Sequence, residues 1–170
     1  MNSVKQLIAG LAMLLLASGA SAVPLTVDGG WNTFYWDNLG LAGTYELDVA
    51  SGAELRVVDG YLYGDQFEIF IDGISAFSTS DVATNLDGVQ SNATTGDAAW
   101  ADAGLSHGSI FLGTGSYTIE IYTISLASNS SGGAAFISAV TTTASVPEAS
   151  TLMLLAMGLL GLGFARRKAA

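Results

Sequence analysis

Four segments of the chain alternate apolar and polar side chains with a period of two residues. The clearest segment places Tyr45, Leu47 and Val49 on one side and Glu46 and Asp48 on the other. A period of two sends successive side chains to opposite faces of a β-strand, while an amphipathic helix needs a period of 3.6. The pattern therefore predicts strands with one buried face.

The other alternating segments are centred on Leu55, Ile69 and Ile119, and shorter candidate strands cover Asn32–Trp36, Phe111 and 136–140. Asp-Gly pairs and glycine-rich turns separate these segments. Many short strands at regular spacing predict an all-β domain, an antiparallel β-sandwich of jelly-roll type. The polar stretch 81–103 is expected to be a long excursion that holds a short helix near 98–103.

The first 22 residues have the features of a secretory signal peptide. Lys5 precedes an apolar run of about eleven residues, 7–17, and Ala20-Ser21-Ala22 fits the small-x-small cleavage rule. The alternative is an N-terminal membrane anchor, but spanning a bilayer takes about 20 apolar residues. We expect export through the Sec translocon, with signal peptidase cleaving near residue 22.

The last 25 residues, 146–170, contain three parts in a fixed order. A motif, Val146-Pro147-Glu148-Ala149, opens segment 146–151, an apolar stretch covers 152–165, and Arg166, Arg167 and Lys168 follow. The stretch would reach about 21 Å as a helix, against about 30 Å for the hydrocarbon layer. The basic residues would stay cytoplasmic, so the sequence predicts a short transmembrane helix and membrane stop.

This layout resembles the PEP-CTERM sorting signal of Gram-negative bacteria, with Ala149 in place of the second proline of the Pro-Glu-Pro motif. The resemblance implies recognition by exosortase, a membrane protease of transpeptidase type, and cleavage near the motif. It further implies a precursor in the inner membrane and a mature form that is secreted or at the cell surface, within exopolysaccharide or biofilm. A plain C-terminal anchor is the alternative.

The predicted ectodomain, residues 23–145, is strongly acidic. Fourteen of the fifteen acids lie in it and Arg56 is its one Lys or Arg, which gives a net charge near −13. Nucleic acid is therefore not an expected partner, because phosphates need clustered cations. Residues 57–73 also resemble a stretch found in ectodomains of other PEP-CTERM proteins, which implies a shared sandwich module without settled chemistry.

The acidity makes calcium the first candidate ligand. Calcium takes six to eight oxygen ligands, often from loop aspartates, and Asp59 and Asp65 are the predicted pair. No calcium-loop motif occurs in the sequence. Asp-Gly also simply favours turns, which is the alternative interpretation.

Carbohydrate is the second candidate ligand, because aromatic rings stack on sugar faces. Trp31, Trp36 and Trp100 are the predicted contacts. Residues five positions apart in a strand point to opposite faces, so at least one of Trp31 and Trp36 is expected in the core. Aromatic packing within the sandwich is the alternative explanation for all three.

Catalysis is the least supported class of function. His107 is the one histidine, and no G-x-S-x-G nucleophile motif or phosphate-binding loop accompanies it. We expect His107 to cap a turn. The sequence therefore predicts a non-catalytic binding or structural module without a cofactor, with a lectin-like glycan binder as the alternative and a polysaccharide-active enzyme as a distant one.

Overall fold

The computed structural model describes residues 21–142. The predicted signal peptide lies outside the described residues except for Ser21 and Ala22, and the predicted sorting signal lies outside them entirely. The elements are β1 (Val23–Leu25), β2 (Asn32–Trp36), β3 (Gly40–Val49), β4 (Ala53–Asp59), β5 (Gln66–Ile71), β6 (Ile74–Ser78), α1 (Gly96–Ala101), β7 (His107–Leu112), β8 (Gly115–Ser125) and β9 (Gly133–Thr141).

The strands form two sheets that pack face to face. The first sheet has the order β1-β3-β8-β5-β6 and the second has the order β2-β9-β4-β7. The predicted all-β fold is confirmed. One pair departs from the antiparallel prediction: β1 runs parallel to β3, with Val23 beside Tyr45. The parallel pairing is possible because β1 leads into β2 of the opposite sheet, so β1 and β3 are not joined by a hairpin.

The core lies between the sheets and is built by the alternating residues. Leu47, Leu55, Ile69 and Ile119 are all buried, while the intervening Asp48 is exposed. Three aromatic rings fill one region of this core, with Phe34, Trp36 and Phe67 lying 4.9–5.9 Å apart between ring centroids. The edge-to-face geometry of the Phe67 contacts is the arrangement that aromatic quadrupoles favour.

A second apolar cluster lies on the outer face of the second sheet. Val58 and Phe136 point outward from β4 and β9, yet both are buried by Ala99 of α1 and its neighbours. Thr95 caps the helix by accepting a hydrogen bond from the Ala98 amide at 3.3 Å. The predicted short helix is confirmed, and it begins two residues earlier than expected because Thr95 sets its start.

Two strands, β1 and β6, escaped the periodicity analysis because they are short and weakly patterned. The Asp-Gly pair before β6 was predicted to form a turn. In the structure Asp72 and Gly73 form this turn with positive φ values of 52° and 77°. A two-residue turn with both φ values positive matches the twist of a hairpin. Among residues 21–142, no helix is long and apolar enough to cross a membrane.

Candidate functional site

The three tryptophans predicted to bind sugar do not form one site. Trp36 points into the core, where it is 5% exposed and packs against Phe34 and Phe67. Its assignment as a glycan contact is therefore wrong: the pleat of β2 sends it inward, and the sandwich needs its volume. The expectation that at least one of Trp31 and Trp36 is core is met.

Trp31 and Trp100 meet on the outer side of the second sheet. Their ring centroids are 5.9 Å apart with planes tilted by 42°, and both side chains are partly buried. The Trp31 indole N–H donates a hydrogen bond to Asp97 Oδ1 at 2.8 Å. Residue 96 must be glycine for this contact, because a Cβ there would overlap the Trp31 ring. The start of α1 thus fixes the orientation of Trp31.

Arg56 connects this aromatic pair to the sheet. Its guanidinium carbon lies 5.2 Å from the centroid of the Trp100 ring, within the range of a cation–π interaction. Arg56 Nε and Nη2 both donate to Glu54 Oε2, at 2.8 and 2.5 Å, and Glu54 Oε1 accepts from Ser109 at 2.7 Å. The Ser109 hydrogen bond, with help from Arg56, lowers the pKa of Glu54. Glu54 therefore stays charged and neutralises Arg56.

A cleft of about 320 Å³ opens beside Trp31. Its walls come from the β1–β2 loop, β4, β9 and α1; we call it the Trp31 cleft, and it is lined by Asp28, Gly30, Trp31, Arg56, Asp97, Ser138 and Val140. Binding sites for small molecules span roughly 300–1,000 Å³ and combine apolar walls with a few polar groups. The cleft has that composition at the small end of the range.

The Asp59 and Asp65 side chains come together, as the sequence suggested, but inside the protein. Both are buried, at 0% and 1% exposure. Asp59 Oδ1 accepts from the Gly60 amide at 2.7 Å, while Oδ2 has no hydrogen-bond partner. Asp65 Oδ1 accepts from the Ala127 amide at 2.9 Å.

This burial changes the ionisation of both carboxyls. Desolvation, reinforced by the neighbouring Asp65 charge, raises the pKa of Asp59 to about 9. Desolvation also raises the pKa of Asp65, with a smaller contribution from Asp87. Asp59 is consequently neutral at pH 7. Within residues 21–142 no group of three or more His, Cys, Asp or Glu side chains is placed to hold a metal ion, so any calcium here would rely on two carboxylates and main-chain oxygens.

His107 begins β7 and takes a structural position. Its Nδ1 donates to the Leu105 carbonyl at 2.8 Å, and its ring packs against Trp100 at 5.4 Å between centroids. It thus closes the turn that leads into β7 and supports one face of Trp100.

Sequence reasoning missed Asp28, Asp97 and Ser138 as cleft residues. Asp28 and Asp97 come from a loop and a helix that only the fold brings together. Ser138 is an unremarkable serine in a strand of small residues. Arg56 is distinctive in the sequence because it is the one Lys or Arg in residues 23–145. Nothing in the sequence, however, predicted its position beside a tryptophan.

Comparison with known proteins identifies the C-terminal segment. The family model of the PEP-CTERM protein-sorting motif matches residues 145–168. The chain therefore carries the sorting signal of PEP-CTERM proteins and is an exosortase-sorted, exported protein, as its three-part C-terminus predicted. Exosortase is accordingly its processing partner, and the motif implies membrane anchoring followed by processing at the cell surface.

Two solved structures resemble the chain weakly. The pre-peptidase C-terminal domain of a collagenase from Bacillus anthracis is 12% identical, with 70% of this chain and 94% of that one covered and a TM-score of 0.40. A β-glucosidase from Paenibacillus barengoltzii is 14% identical, with 72% and 11% covered and a TM-score of 0.35. No curated protein matches the chain.

Proposed function

We propose that this protein is a non-catalytic surface module of a Gram-negative bacterium that binds extracellular polysaccharide through the Trp31 cleft. Export requires the Sec translocon and signal peptidase at the N-terminus. Exosortase then releases the domain into exopolysaccharide or biofilm material. The sorting motif at 145–168 supports this route, and the proposal adds the destination and the ligand.

The observation that carries the binding role is the Trp31–Trp100 pair, which is partly exposed on the outer face of the second sheet. Flat aromatic surfaces suit the apolar faces of sugar rings, and a few fixed polar groups provide orientation. Asp97 and Arg56 stand beside the pair with acceptor and donor groups. Both rings pack against the second apolar cluster on one side and keep part of their surface exposed, whereas Trp36 is enclosed in the sandwich.

The absence of catalysis is part of the proposal. Glycosidases need two accessible carboxyls, one with a raised pKa to act as the acid. Asp59 has such a pKa but is buried. Asp28 lines the cleft, yet hydrogen bonds from Thr141 lower its pKa. Polysaccharide cleavage that disappears in Asp97→Asn would overturn this part and favour the enzyme.

The sandwich itself is a jelly roll in this proposal. When β1 is set aside, β2 to β9 form sheets of order β2-β9-β4-β7 and β3-β8-β5-β6. Two interlocked Greek keys of eight strands give this arrangement. A crystal structure with another strand order would contradict it.

Retention on polysaccharide tests the binding role. Mature protein purified from cells is passed over immobilised exopolysaccharide from the producing strain. Trp31→Ala should weaken binding about tenfold, equivalent to about 1.4 kcal/mol. Trp100→Ala should weaken binding less, because Trp100 packs against Trp31 but does not line the cleft. Tyr35→Ala is the matched control, because Tyr35 is 70% exposed on β2 and does not line the cleft.

Equal retention of all variants, or no retention of the wild type, would favour a purely structural matrix component whose negative charge keeps it hydrated. The route is tested separately by the intact mass of the protein from wild-type and exosortase-deficient cells. A C-terminus that remains intact in both strains would exclude the proposed processing.

A further inference from the structure

We infer that the Trp31 cleft selects a neutral sugar, whose hydroxyls bind the Ser138 hydroxyl and the unused N–H groups of Arg56. This inference rests on the proposed polysaccharide binding and names the class of glycan. The alternative ligand class is an acidic polysaccharide that contains uronate, sulfate or phosphate groups. The two classes of glycan differ in charge, so the charges of the residues in and around the cleft distinguish between them.

The charge of the cleft disfavours an anion. Arg56 is its one cation, and Glu54 neutralises the guanidinium through two hydrogen bonds. Asp28 and Asp97 add two carboxylates to the lining. The predicted ectodomain is also acidic as a whole, with Arg56 as its one Lys or Arg. An acidic chain would meet like charges both locally and at long range, whereas a neutral sugar would not.

Ser138 provides the second observation. It is 1% exposed, lines the cleft, and its Oγ has no hydrogen-bond partner. It lies directly opposite Arg56 in the β4–β9 ladder, on the outer face of the sheet. Buried hydroxyls are nearly always hydrogen-bonded, so an unpaired one at a cleft calls for a partner outside the chain. A hydroxyl that both donates and accepts fits the hydroxyl of a sugar.

Arg56 complements Ser138 as a donor. A guanidinium has five N–H groups, of which Glu54 takes two. Asp97 Oδ1 is occupied by the Trp31 indole, which holds the ring that forms the apolar wall. The cleft therefore offers an aromatic wall, a hydroxyl and a charge-neutralised donor, and these are the groups that a neutral pyranose needs.

Fractionated exopolysaccharide tests the inference on the mature protein. Material from the producing strain is separated by anion exchange into neutral and acidic fractions, and each is used as the probe in affinity electrophoresis. We expect the neutral fraction to retard the protein equally at low salt and at about 0.5 M salt. Exposed charges are largely screened at that ionic strength, so equal retardation indicates that binding does not depend on charge.

Retardation by the acidic fraction alone would overturn the neutral class while leaving polysaccharide binding intact. Retardation by neither fraction would overturn the proposed function itself. Retardation by the neutral fraction that Trp31→Ala leaves unchanged would overturn the location of the site.

Ser138→Ala tests the hydroxyl. It should weaken retardation by the neutral fraction about two- to tenfold, the range for one neutral hydrogen bond, without lowering the melting temperature. Thr123→Val is the matched control, since Thr123 also has a buried, unpaired hydroxyl but lies in β8 of the other sheet. Unaltered binding in Ser138→Ala, or an equal loss in both variants, would contradict the role of Ser138.

Discussion

Thr141 donates two hydrogen bonds to the carboxylate of Asp28. Its backbone N–H lies 2.9 Å from Oδ1 and its hydroxyl lies 2.5 Å from Oδ2. Asp28 follows β1 with a φ of 59°, and Thr141 is the last residue of β9. The contact thus joins the start of the sandwich to its end, four residues before the matched sorting motif begins at residue 145.

This contact predicts a local loss of stability in Thr141→Val. The change removes the hydroxyl at nearly constant volume, so the melting temperature should fall by a few degrees at pH 7, measured by circular dichroism. The Thr141 hydrogen bonds lower the pKa of Asp28, so their contribution is present above its unfolded pKa and is lost as the pH falls through the folded one. The difference should therefore shrink in acid. Thr118→Val, at an exposed position of β8, is the control, and an equal fall there would contradict the prediction.

Asp59 predicts a fall in stability with rising pH. Its pKa is about 9 in the folded protein and near 3.9 in an unfolded chain, so the folded state holds a proton that the unfolded state has lost. Stability should be greatest below pH 4 for this group and should decline up to about pH 9, by at most about 1.4 kcal/mol per pH unit.

Melting curves between pH 6 and 9 report this effect, because carboxylates with ordinary pKa values are already ionised there, and comparison with Asp59→Asn separates it from the raised pKa of Asp65. Asp59→Asn should flatten the decline and raise the melting temperature at pH 9. Asp37→Asn, at an exposed carboxyl, serves as the control. A wild type whose stability is constant over this interval would show that Asp59 is not buried as described.

Calcium binding at Asp59 and Asp65 stays a prediction, and the raised pKa of Asp59 adds a pH dependence to it. Because the Asp59 proton must leave before the carboxylate binds a cation, millimolar calcium should raise the melting temperature more at pH 9 than at pH 6. A cation that binds only the folded state must stabilise it. Asp65→Asn should abolish the rise. No rise at either pH would remove calcium from this pair.

Trp31 and Trp36 predict opposite phenotypes despite their proximity in sequence. Trp36→Ala should cost about 3–5 kcal/mol of unfolding free energy, as expected for a large aromatic removed from a core. Trp31→Ala should cost much less in denaturant titrations and should affect polysaccharide retention instead. If Trp31→Ala unfolded the domain while Trp36→Ala did not, the placement of Trp36 in the core and of Trp31 at the cleft would be wrong.

Gly96→Ala is predicted to weaken polysaccharide retention even though alanine has the higher helix propensity. Alanine is about 1 kcal/mol better than glycine within a helix, yet a Cβ at residue 96 would overlap the Trp31 ring. Gly96→Ala should therefore weaken polysaccharide retention as Trp31→Ala does, by displacing the indole. Ala98→Gly, also in α1, should lower helix stability and leave retention intact. Wild-type retention in Gly96→Ala would show that the position of Trp31 does not matter.

The strands with clear alternation were predictable because their signal is local. The apolar residues of β3 face the core, since each polar neighbour can then reach water. Asn32–Trp36 was predicted with the bounds that the structure gives. The parallel β1, and the burial of Val58 on the outer face by α1, depend on contacts between distant segments, and no local pattern records such contacts.

The sequence alone determined the sorting signal and the all-β character of the domain. A sorting signal that a membrane enzyme recognises is a contiguous segment of sequence. The alternation of apolar and polar residues that predicts a strand is also local. The tertiary structure decided the site. It placed Trp36 in the core and Trp31 beside Arg56 and Ser138, and it buried Asp59 and Asp65 together. Those outcomes depend on which surfaces pack, and packing joins residues as distant in the chain as Asp28 and Ser138, which are 110 positions apart.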